Sequence, residues 1–301
     1  MKKSLAFAVW LAVSTAASAA SAASTATTPA AAVPDGPVAR TFHVGALEVI
    51  ALRDKVRSIP NDAKVFGAEA GASAVAAVLA AAGAPTDHIG LSVDALLVRD
   101  GAKTILLDTG LGPSAQGLLL ESLKQTRYTP EQITDVLITH VHGDHVGGLV
   151  TSDGVQAFAK AIVHISAPDW AWLQGQANMA ALVKAISPQV VTFAPGDQVA
   201  PGIRSLPLQG HTPGHVGYQI VSGKARLLDV GDLVHNPILS LAKPDWTIAF
   251  DKDRTQGATT RRAELARLAA DHETIFAPHF PFPGIGTIKA VDDHFVWQPA
   301  N

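Results

Sequence analysis

Three histidines and an aspartate fall within six consecutive positions of the segment ITHVHGDHVGG. The apolar run before them predicts a short buried strand, and side chains two positions apart on a strand lie on the same side. His140 and His142 can therefore reach one metal ion, while the glycine after them lets Asp144 and His145 turn towards a second. Such a dense cluster is typical of a metal site, and its two pairs predict two adjacent ions.

Further ligands are expected where polar residues follow other buried strands, because sheet-based proteins build their sites at strand ends. His211 in LQGHTPGHVGY, Asp232 in LLDVGDLVH and His279 in IFAPHFPFPG occupy such positions. Five of the 12 histidines would then be ligands. The other seven are expected to be structural or exposed: His43, His88, His164, His215, His235, His272 and His294. His164 is expected in the core, and His215 in a backbone hydrogen bond.

The rest of the chain supplies the strands and helices that must position these ligands. The segment LSVDALLVRDGAKTILLDTG predicts a hairpin that turns at Asp100 and Gly101. Two strand-rich halves, each with helices, predict a layered α/β or α+β fold. The patterns favour helices at 72–82, 117–128, 168–176 and 259–270, and strands at 46–52, 161–165, 190–193, 203–207, 216–221 and 225–230.

The first 23 residues form a separate region. They combine Lys2 and Lys3, an apolar run too short to span a bilayer, and an Ala-Ser-Ala sequence, which together predict a cleavable secretory signal peptide. Residues 24–38 are rich in Ala, Ser, Thr and Pro and predict a disordered linker. The folded domain is expected at 39–301, and the expected location is the periplasm or the medium.

Composition excludes several classes of protein. The net charge is −3 and no run of Lys or Arg is present, so nucleic acid is not an expected partner. After the signal peptide no apolar stretch is long enough to cross a membrane, so no membrane contact is expected after cleavage. The absence of cysteine excludes disulfides and thiolate ligands.

The motifs THVHGDHVGG, GHTPGH, VGDLVH and APHFPFPGIG resemble, in this order, those of the metallo-β-lactamase fold superfamily. More narrowly, the chain is similar to the methyl parathion hydrolase branch and to the N-acyl homoserine lactonases over roughly residues 40–300. The resemblance implies an α/β fold, an αββα sandwich of two packed mixed β-sheets flanked by helices.

The same resemblance implies how the seven ligands divide. His140, His142 and His211 would hold one metal, Asp144, His145 and His279 the other, and Asp232 would bridge both. Asp108 of LLDTG is the candidate to orient a ligand imidazole, because such ligands need a partner for their second nitrogen.

Five imidazoles and two carboxylates suit two Zn²⁺ ions, the expected metals, but also Mn²⁺, Fe²⁺ or Co²⁺. Two such ions would hold a bridging hydroxide that attacks a carbonyl or phosphoryl centre. Asp232, as the bridge, and Asp144, as a route for a proton to the leaving group, are the candidate catalytic residues. The resemblance and the export signal favour small hydrophobic ester substrates: lactones, aryl esters or organophosphate triesters.

Candidate pocket residues come from the same resemblance. Trp170 and Trp172 fall where the branch carries pocket aromatics, and Phe280 and Phe282 are candidates for the opposite wall, although each is equally compatible with ordinary core packing. His235 follows the bridging aspartate in a segment where the lactonases place a tyrosine. It is a candidate hydrogen-bond donor or acid, with a surface role as the alternative.

Other functions share parts of this pattern. A β-lactamase usually lacks the bridging carboxylate or uses a cysteine, and a glyoxalase-II-like thioesterase would need a basic patch for glutathione. A mononuclear iron dioxygenase uses only part of the ligand set, and a non-catalytic binding protein typically loses ligands. Relatives in this branch are often homodimers, but the sequence shows no self-complementary patch.

Overall fold

The first of two β-sheets is formed by the N-terminal half of the chain in this computed structural model, which describes residues 36–300. The predicted signal peptide and residues 24–35 of the predicted linker lie outside the described residues. The seven strands of this sheet lie in sequence order. They are β1 Ala39–Val44, β2 Leu47–Pro60, β3 His88–Asp100, β4 Lys103–Leu107, β5 Asp135–Leu137, β6 Ile162–Ser166 and β7 Val190–Phe193.

The second sheet is formed by the C-terminal half and also has seven strands, again in sequence order. Most of its pairs are antiparallel, with one parallel pair between its fourth and fifth strands. The strands are β8 Gln198–Ala200, β9 Ile203–Pro207, β10 Val216–Ser222, β11 Ala225–Asp229, β12 Thr274–Phe276, β13 Ile285–Val291 and β14 His294–Pro299.

Seven α-helices accompany the two sheets in the described part of the chain. They are α1 Ala72–Ala81, α2 Leu119–Leu123, α3 Gly143–Val146, α4 Ala167–Gln174, α5 Ala180–Ile186, α6 Leu239–Ala242 and α7 Arg254–Asp271. None of the helices between residues 36 and 300 is long and apolar enough to cross a membrane.

Side-chain alternation along the strands builds three apolar layers. On β3, Leu96 and Val98 point between the sheets, where they join a cluster with Tyr218 and Phe276 of the second sheet. Leu97, between them, points outwards, in the cluster that α2, α4 and α5 cover. A third cluster lies between the second sheet and α7. Because this part of β3 is covered on both faces, residues 95–98 form a continuous apolar run, and the predicted αββα sandwich is confirmed.

Strands β2 and β3 extend well beyond their neighbours. They pair from Glu48–Arg99 to Pro60–His88, with a shift of register between Arg53 and Lys55, whereas β1 pairs with β2 only as far as Leu52. Residues 53–60 and 88–95 therefore form a two-stranded arm that pairs with no other strand of the described sheets. The side chain of Asn61 ties the tip of the arm to the carbonyls of Ala72 and Thr86.

Some predicted elements were wrong in extent. The predicted helix at 117–128 is only the five-residue α2. Its start is held by the buried carboxylate of Asp54, which accepts hydrogen bonds from the backbone N–H groups of Leu111 and Leu119. Its end is set by Thr126, whose hydroxyl bonds the Leu123 carbonyl and accepts from Tyr128 N–H. Helix α5 and strands β13 and β14 were not predicted.

Candidate metal centre

All seven predicted ligands converge at one edge of the two sheets. His140, His142, Asp144 and His145 follow β5, and the last two lie on the short helix α3. His211 lies in the turn between β9 and β10, Asp232 follows β11, and His279 follows β12. The ligand atoms of His140, His142, His211 and Asp232 lie within 4.8 Å of one another, as do those of Asp144, His145 and His279.

Asp232 lies between the two groups. Its Oδ2 atom is 3.1 Å from Nε2 of His211 and 3.6 Å from Nε2 of His140. Its Oδ1 atom is 3.1 Å from Nε2 of His145 and 3.0 Å from Nε2 of His279. One carboxylate therefore presents a separate oxygen to each cluster of imidazoles, which is the arrangement that a ligand shared by two cations requires.

The second ring nitrogen of most of these histidines is held by a partner behind it. Nδ1 of His211 lies 2.9 Å from Asp251, and Nδ1 of His279 lies 2.7 Å from the carbonyl of Ser92. Both nitrogens can donate to these oxygens, which fixes the tautomer that leaves Nε2 free towards the centre.

Asp108 supports both clusters. Its carboxylate lies 2.7 Å from Nδ1 of His145 and accepts hydrogen bonds from the backbone N–H and the hydroxyl of Thr139. The same hydroxyl lies 3.1 Å from Nδ1 of His140. Asp108 has a φ of 60°, in the left-handed region that non-glycine residues seldom adopt. These hydrogen bonds offset the cost of that conformation and direct the carboxylate towards the metal centre.

His215 and Gly231 set the position of Asp232. Nδ1 of His215 lies 2.8 Å from the carbonyl of Leu208, in the backbone contact expected from the sequence, and Nε2 accepts the backbone N–H of Asp232. Gly231 has a φ of 48°, and a Cβ atom there would lie 2.6 Å from the His215 ring. A glycine is therefore required directly before the shared carboxylate.

Asp169 holds the two loops that carry His140, His142 and His211. Its buried carboxylate accepts from the backbone N–H groups of Val141 and Gly214 and from the hydroxyl of Thr212. Neither Asp169 nor Asp251 was predicted as a site residue. No pattern in the sequence identifies them, because the histidine-bearing segments that they support lie tens of positions away along the chain.

The pKa values in this centre are shifted because several imidazoles crowd around buried carboxylates. Burial and the neighbouring His211 lower the pKa of His142 to about 3. Burial also opposes protonation of His211, but Asp232 and Asp251 outweigh it and raise the pKa of His211 to about 9. Although burial favours the neutral acid, the surrounding imidazoles hold the pKa of Asp232 well below its ordinary value. Asp232 is therefore ionised in this centre. Protons and metal ions would compete for the ring nitrogens around it, because a histidine binds a metal only through a deprotonated nitrogen.

The donor set fits divalent cations. Nε2 of His145 and Oδ1 of Asp232 are buried without a hydrogen-bond partner among the described residues. Buried polar atoms without a partner are costly unless something else satisfies them. Imidazole nitrogens and carboxylate oxygens in two groups around one shared carboxylate are ligands that zinc and similar ions prefer.

His235 also lies in this centre. The sequence had left its role open between a hydrogen-bond donor or acid and a surface residue. Its ring is buried, stacks on that of His279 with centroids 5.3 Å apart, and has Nε2 3.1 Å from Oδ2 of Asp232. Its Nδ1 atom has no hydrogen-bond partner among the described residues. His235 is therefore not a surface residue, and unlike the anchored histidines it has a ring nitrogen still available.

A cavity of about 250 Å³ opens onto the centre. Its floor is formed by His142, Gly143, Asp144, Asp232, His235 and His279. Its wall is formed by Arg57, Ile59, Leu91 and Val93 of the arm, together with Phe250. The cavity therefore places an apolar wall and the cationic side chain of Arg57 beside the candidate metal ligands.

The predicted pocket aromatics do not form this wall. Phe280 is fully buried and packs edge-to-face on Trp297, in the core under α7. Phe282 packs against the core between the sheets, beneath the guanidinium of Arg53. Trp170 packs on the core cluster outside the first sheet. Apolar packing accounts for each of these three rings, which is the core-packing alternative that the sequence had left open.

Trp172 differs from the other three predicted aromatics. It packs on the same core cluster as Trp170, but its ring also meets the edge of the His142 ring at 5.8 Å between centroids. Trp172 therefore packs against one of the candidate metal ligands. The aromatic that does line the cavity, Phe250, was not predicted, since it follows no strand or motif.

Comparisons with known proteins agree with this geometry. A family model described as the metallo-beta-lactamase superfamily matches residues 88–279. The structure of AidC, a dizinc quorum-quenching lactonase in complex with the product N-hexanoyl-L-homoserine, is 26% identical with a TM-score of 0.85, over 89% of this chain and 99% of that one. The structure of AbOPH, a hydrolase in the beta-lactamase superfamily, is 28% identical with a TM-score of 0.80, over 89% and 99% of the respective chains.

Sequence comparison finds shorter matches. An N-acyl homoserine lactonase from Bacillus cereus is 27% identical over 168 residues, which is 48% of this chain and 64% of that protein. The chain spans less than two thirds of the length of the first curated relatives that it matches.

Proposed function

This chain belongs to the metallo-β-lactamase superfamily of hydrolases, and we propose that it is a binuclear metal-dependent lactonase that opens the ester bond of N-acyl homoserine lactones. The proposal names the reaction as hydrolysis, the substrate as a small neutral ester with an apolar chain, and the metals as two Zn²⁺ ions. Mn²⁺, Fe²⁺ and Co²⁺ are the alternatives that the same ligands accept.

The observation that carries this proposal is that the two carboxylate oxygens of Asp232 face different clusters of histidines. One oxygen faces His140 and His211, and the other faces His145 and His279. A site for a single ion would need only one of these groups, so the shared carboxylate favours two ions over one and opposes the dioxygenase alternative.

His140, His142 and His211 would hold one ion, and Asp144, His145 and His279 the other, with Asp232 common to both. Ions held there would lower the pKa of a water molecule to about 7 and polarise the ester carbonyl. The chain's own residues would keep the site ordered for this chemistry. Asp108, Asp251 and the Ser92 carbonyl orient three of the imidazoles.

His235 would bind the substrate directly. Its ring lines the cavity, it is buried, and its Nδ1 atom has no partner among the described residues. Burial lowers the pKa of His235, so the ring is neutral and has one N–H. We place this proton on Nδ1, because the Asp232 oxygen that Nε2 faces would be engaged as a metal ligand. We assign this donor to the ester oxygen that leaves, where negative charge develops as the bond breaks.

The substrate class is supported by the cavity and by the relatives. A neutral ester with an apolar chain suits a wall of Ile59, Leu91, Val93 and Phe250 above the polar floor. Two matched proteins are named as acyl homoserine or quorum-quenching lactonases. Aryl esters and organophosphate triesters need the same reaction centre and are the competing substrates. Export to the periplasm or medium is proposed from residues 1–23 alone.

The proposal is tested by assaying the metal-replete protein on N-hexanoyl homoserine lactone, a p-nitrophenyl phosphotriester and a β-lactam, each with and without chelator. We expect the lactone to have the highest kcat/KM by at least about tenfold, a barrier difference of roughly 1.4 kcal/mol. We also expect two metal ions per chain by elemental analysis. A higher kcat/KM for the phosphotriester would assign the chain to organophosphate hydrolysis, and one ion per chain would contradict the binuclear site.

A further inference from the structure

We infer that Arg57 is a specificity-determining residue that donates hydrogen bonds to an acceptor oxygen on the acyl side of the substrate, such as the amide carbonyl of an N-acyl lactone. This inference rests on the proposed function and deepens it. It identifies what distinguishes an N-acyl lactone from a plain alkyl lactone in the cavity.

The arm places Arg57 on the cavity wall. Side chains two positions apart on a strand share a face, so Arg57 and Ile59 of β2 point to the same side. Leu91, directly opposite Arg57 in the register, and Val93 lie on that face of β3. All four side chains line the cavity. The Arg57 side chain therefore shares the cavity wall with three apolar side chains that an acyl chain would cover.

Arg57 is the only cation among the described residues that line this cavity. The other polar side chains there belong to groups that could hold a metal ion, and His235 is one of them through its group with Asp232 and His279. No hydrogen bond or ion pair joins the Arg57 side chain to another residue in the range 36–300. Its five N–H donors are therefore free for a ligand, whereas a structural arginine such as Arg261 has its donors occupied by Leu233, Pro244 and Asp251.

The apolar wall explains why such a donor matters. A chain that covers Ile59, Leu91, Val93 and Phe250 displaces water from the wall. An amide carbonyl carried on that chain loses hydrogen bonds to water, which is unfavourable unless a donor replaces them. Arg57 supplies that donor beside the apolar wall. A plain alkyl chain has no such carbonyl, so it gains nothing from the guanidinium.

The test is a double-mutant cycle in which one change is made in the enzyme and the other in the substrate. The two substrates are N-hexanoyl homoserine lactone and a γ-lactone whose alkyl chain has the same length but no amide. The enzymes are the wild type, Arg57→Met, Arg57→Lys and the matched control Arg40→Met, which removes an exposed strand arginine outside the cavity. Metal content and thermal midpoint are measured for each protein, because Arg57 is exposed and its loss should change neither.

We expect Arg57→Met to lower kcat/KM for the N-acyl lactone about tenfold more than for the alkyl lactone, mainly through KM. Arg57→Lys should recover part of this ratio, and Arg40→Met should leave both substrates unchanged. Titration with the product N-hexanoyl homoserine should show the same loss of affinity in Arg57→Met.

An equal loss of kcat/KM for both lactones in Arg57→Met would overturn the inference while the proposed function stands, since Arg57 would then not recognise the amide. Full recovery of the ratio by Arg57→Lys at low salt, lost at high salt, would also overturn it in favour of simple charge attraction. Hydrolysis of neither lactone by the wild type would overturn the proposed function itself, and the inference with it.

Discussion

Nδ1 of His211 lies 2.9 Å from one carboxylate oxygen of Asp251, and the other oxygen accepts a hydrogen bond from the buried guanidinium of Arg261. Arg261 lies on α7, and its remaining donors bond the carbonyls of Leu233 and Pro244. A long helix is thus linked through two charged side chains to one candidate metal ligand. The adjacent residue, Phe250, lines the cavity.

Replacing Asp251 with Asn should weaken metal binding without removing a ligand. The amide has about the same size, but it leaves Arg261 without its counter-charge and no longer fixes the His211 tautomer. Loss of such a partner typically lowers metal affinity by roughly 10- to 100-fold, which competition with a chromophoric chelator measures. Asp253→Asn is the control, since the Asp253 side chain caps α7 by accepting from Gln256 N–H. Equal affinities in the two variants would contradict this role.

Asp232→Ala should abolish activity and reduce metal retention, because it removes the one carboxylate that faces both clusters. Elemental analysis after gel filtration should give fewer than two ions per chain. Asp229→Ala is a weaker control for local damage, since Asp229 is buried nearby and, among residues 36–300, its side chain accepts a hydrogen bond only from the Gly231 N–H. Wild-type kcat/KM in Asp232→Ala would exclude the two-metal proposal.

The sequence patterns alone predicted a layered α/β or α+β fold, and the family resemblance implied the αββα sandwich. The strand-end positions were enough to list the seven residues that converge. Each candidate ligand follows an apolar run that forms a strand, and strand ends of one edge meet in space. Helix α7 was predicted with a late start, because its first turn is polar and is defined by the Asp253 cap rather than by apolar periodicity.

The supporting residues and the cavity wall could not be predicted in the same way. Asp251 and Asp169 contact residues far away along the chain, so their roles depend on packing. Composition cannot distinguish an aromatic in a cavity from one in the core. Both locations were open for Phe280, which is buried in the core. Arg57 and Leu91 reach the cavity only because β2 and β3 extend into an arm. The alternation pattern predicted a strand at 46–52 and did not indicate that β2 continues to Pro60.

The two phenylalanines should respond in opposite ways to truncation. Phe250 is 46% exposed and lines the cavity, so Phe250→Ala should raise KM for the lactone several-fold and change stability by less than about 0.5 kcal/mol. Phe280 is fully buried against Trp297, so Phe280→Ala should destabilise the fold by roughly 3–5 kcal/mol. Urea unfolding and steady-state kinetics measure both effects. An unchanged KM in Phe250→Ala would remove that residue from the substrate wall.

Asp135 begins the strand that delivers His140, and its ionisation should make stability depend on pH. Burial favours the neutral acid, but hydrogen bonds from Lys103, Thr134 and His164 outweigh it and lower the carboxyl pKa below 3.8. A lowered pKa in the fold gives stability that is present at neutral pH and is lost as the pH falls through the folded value.

Asp135→Asn should therefore be less stable than the wild type at pH 7, by about 1–2 kcal/mol, because a buried charged hydrogen-bond acceptor is lost while Lys103 remains partly exposed. The difference should shrink as the pH falls below about 4, where the wild-type carboxyl also gains a proton. Urea unfolding in the presence of chelator measures this without a metal contribution, with the exposed Asp153→Asn as control. A difference that stays constant from pH 7 to pH 3 would show that Asp135 acts through packing rather than through charge.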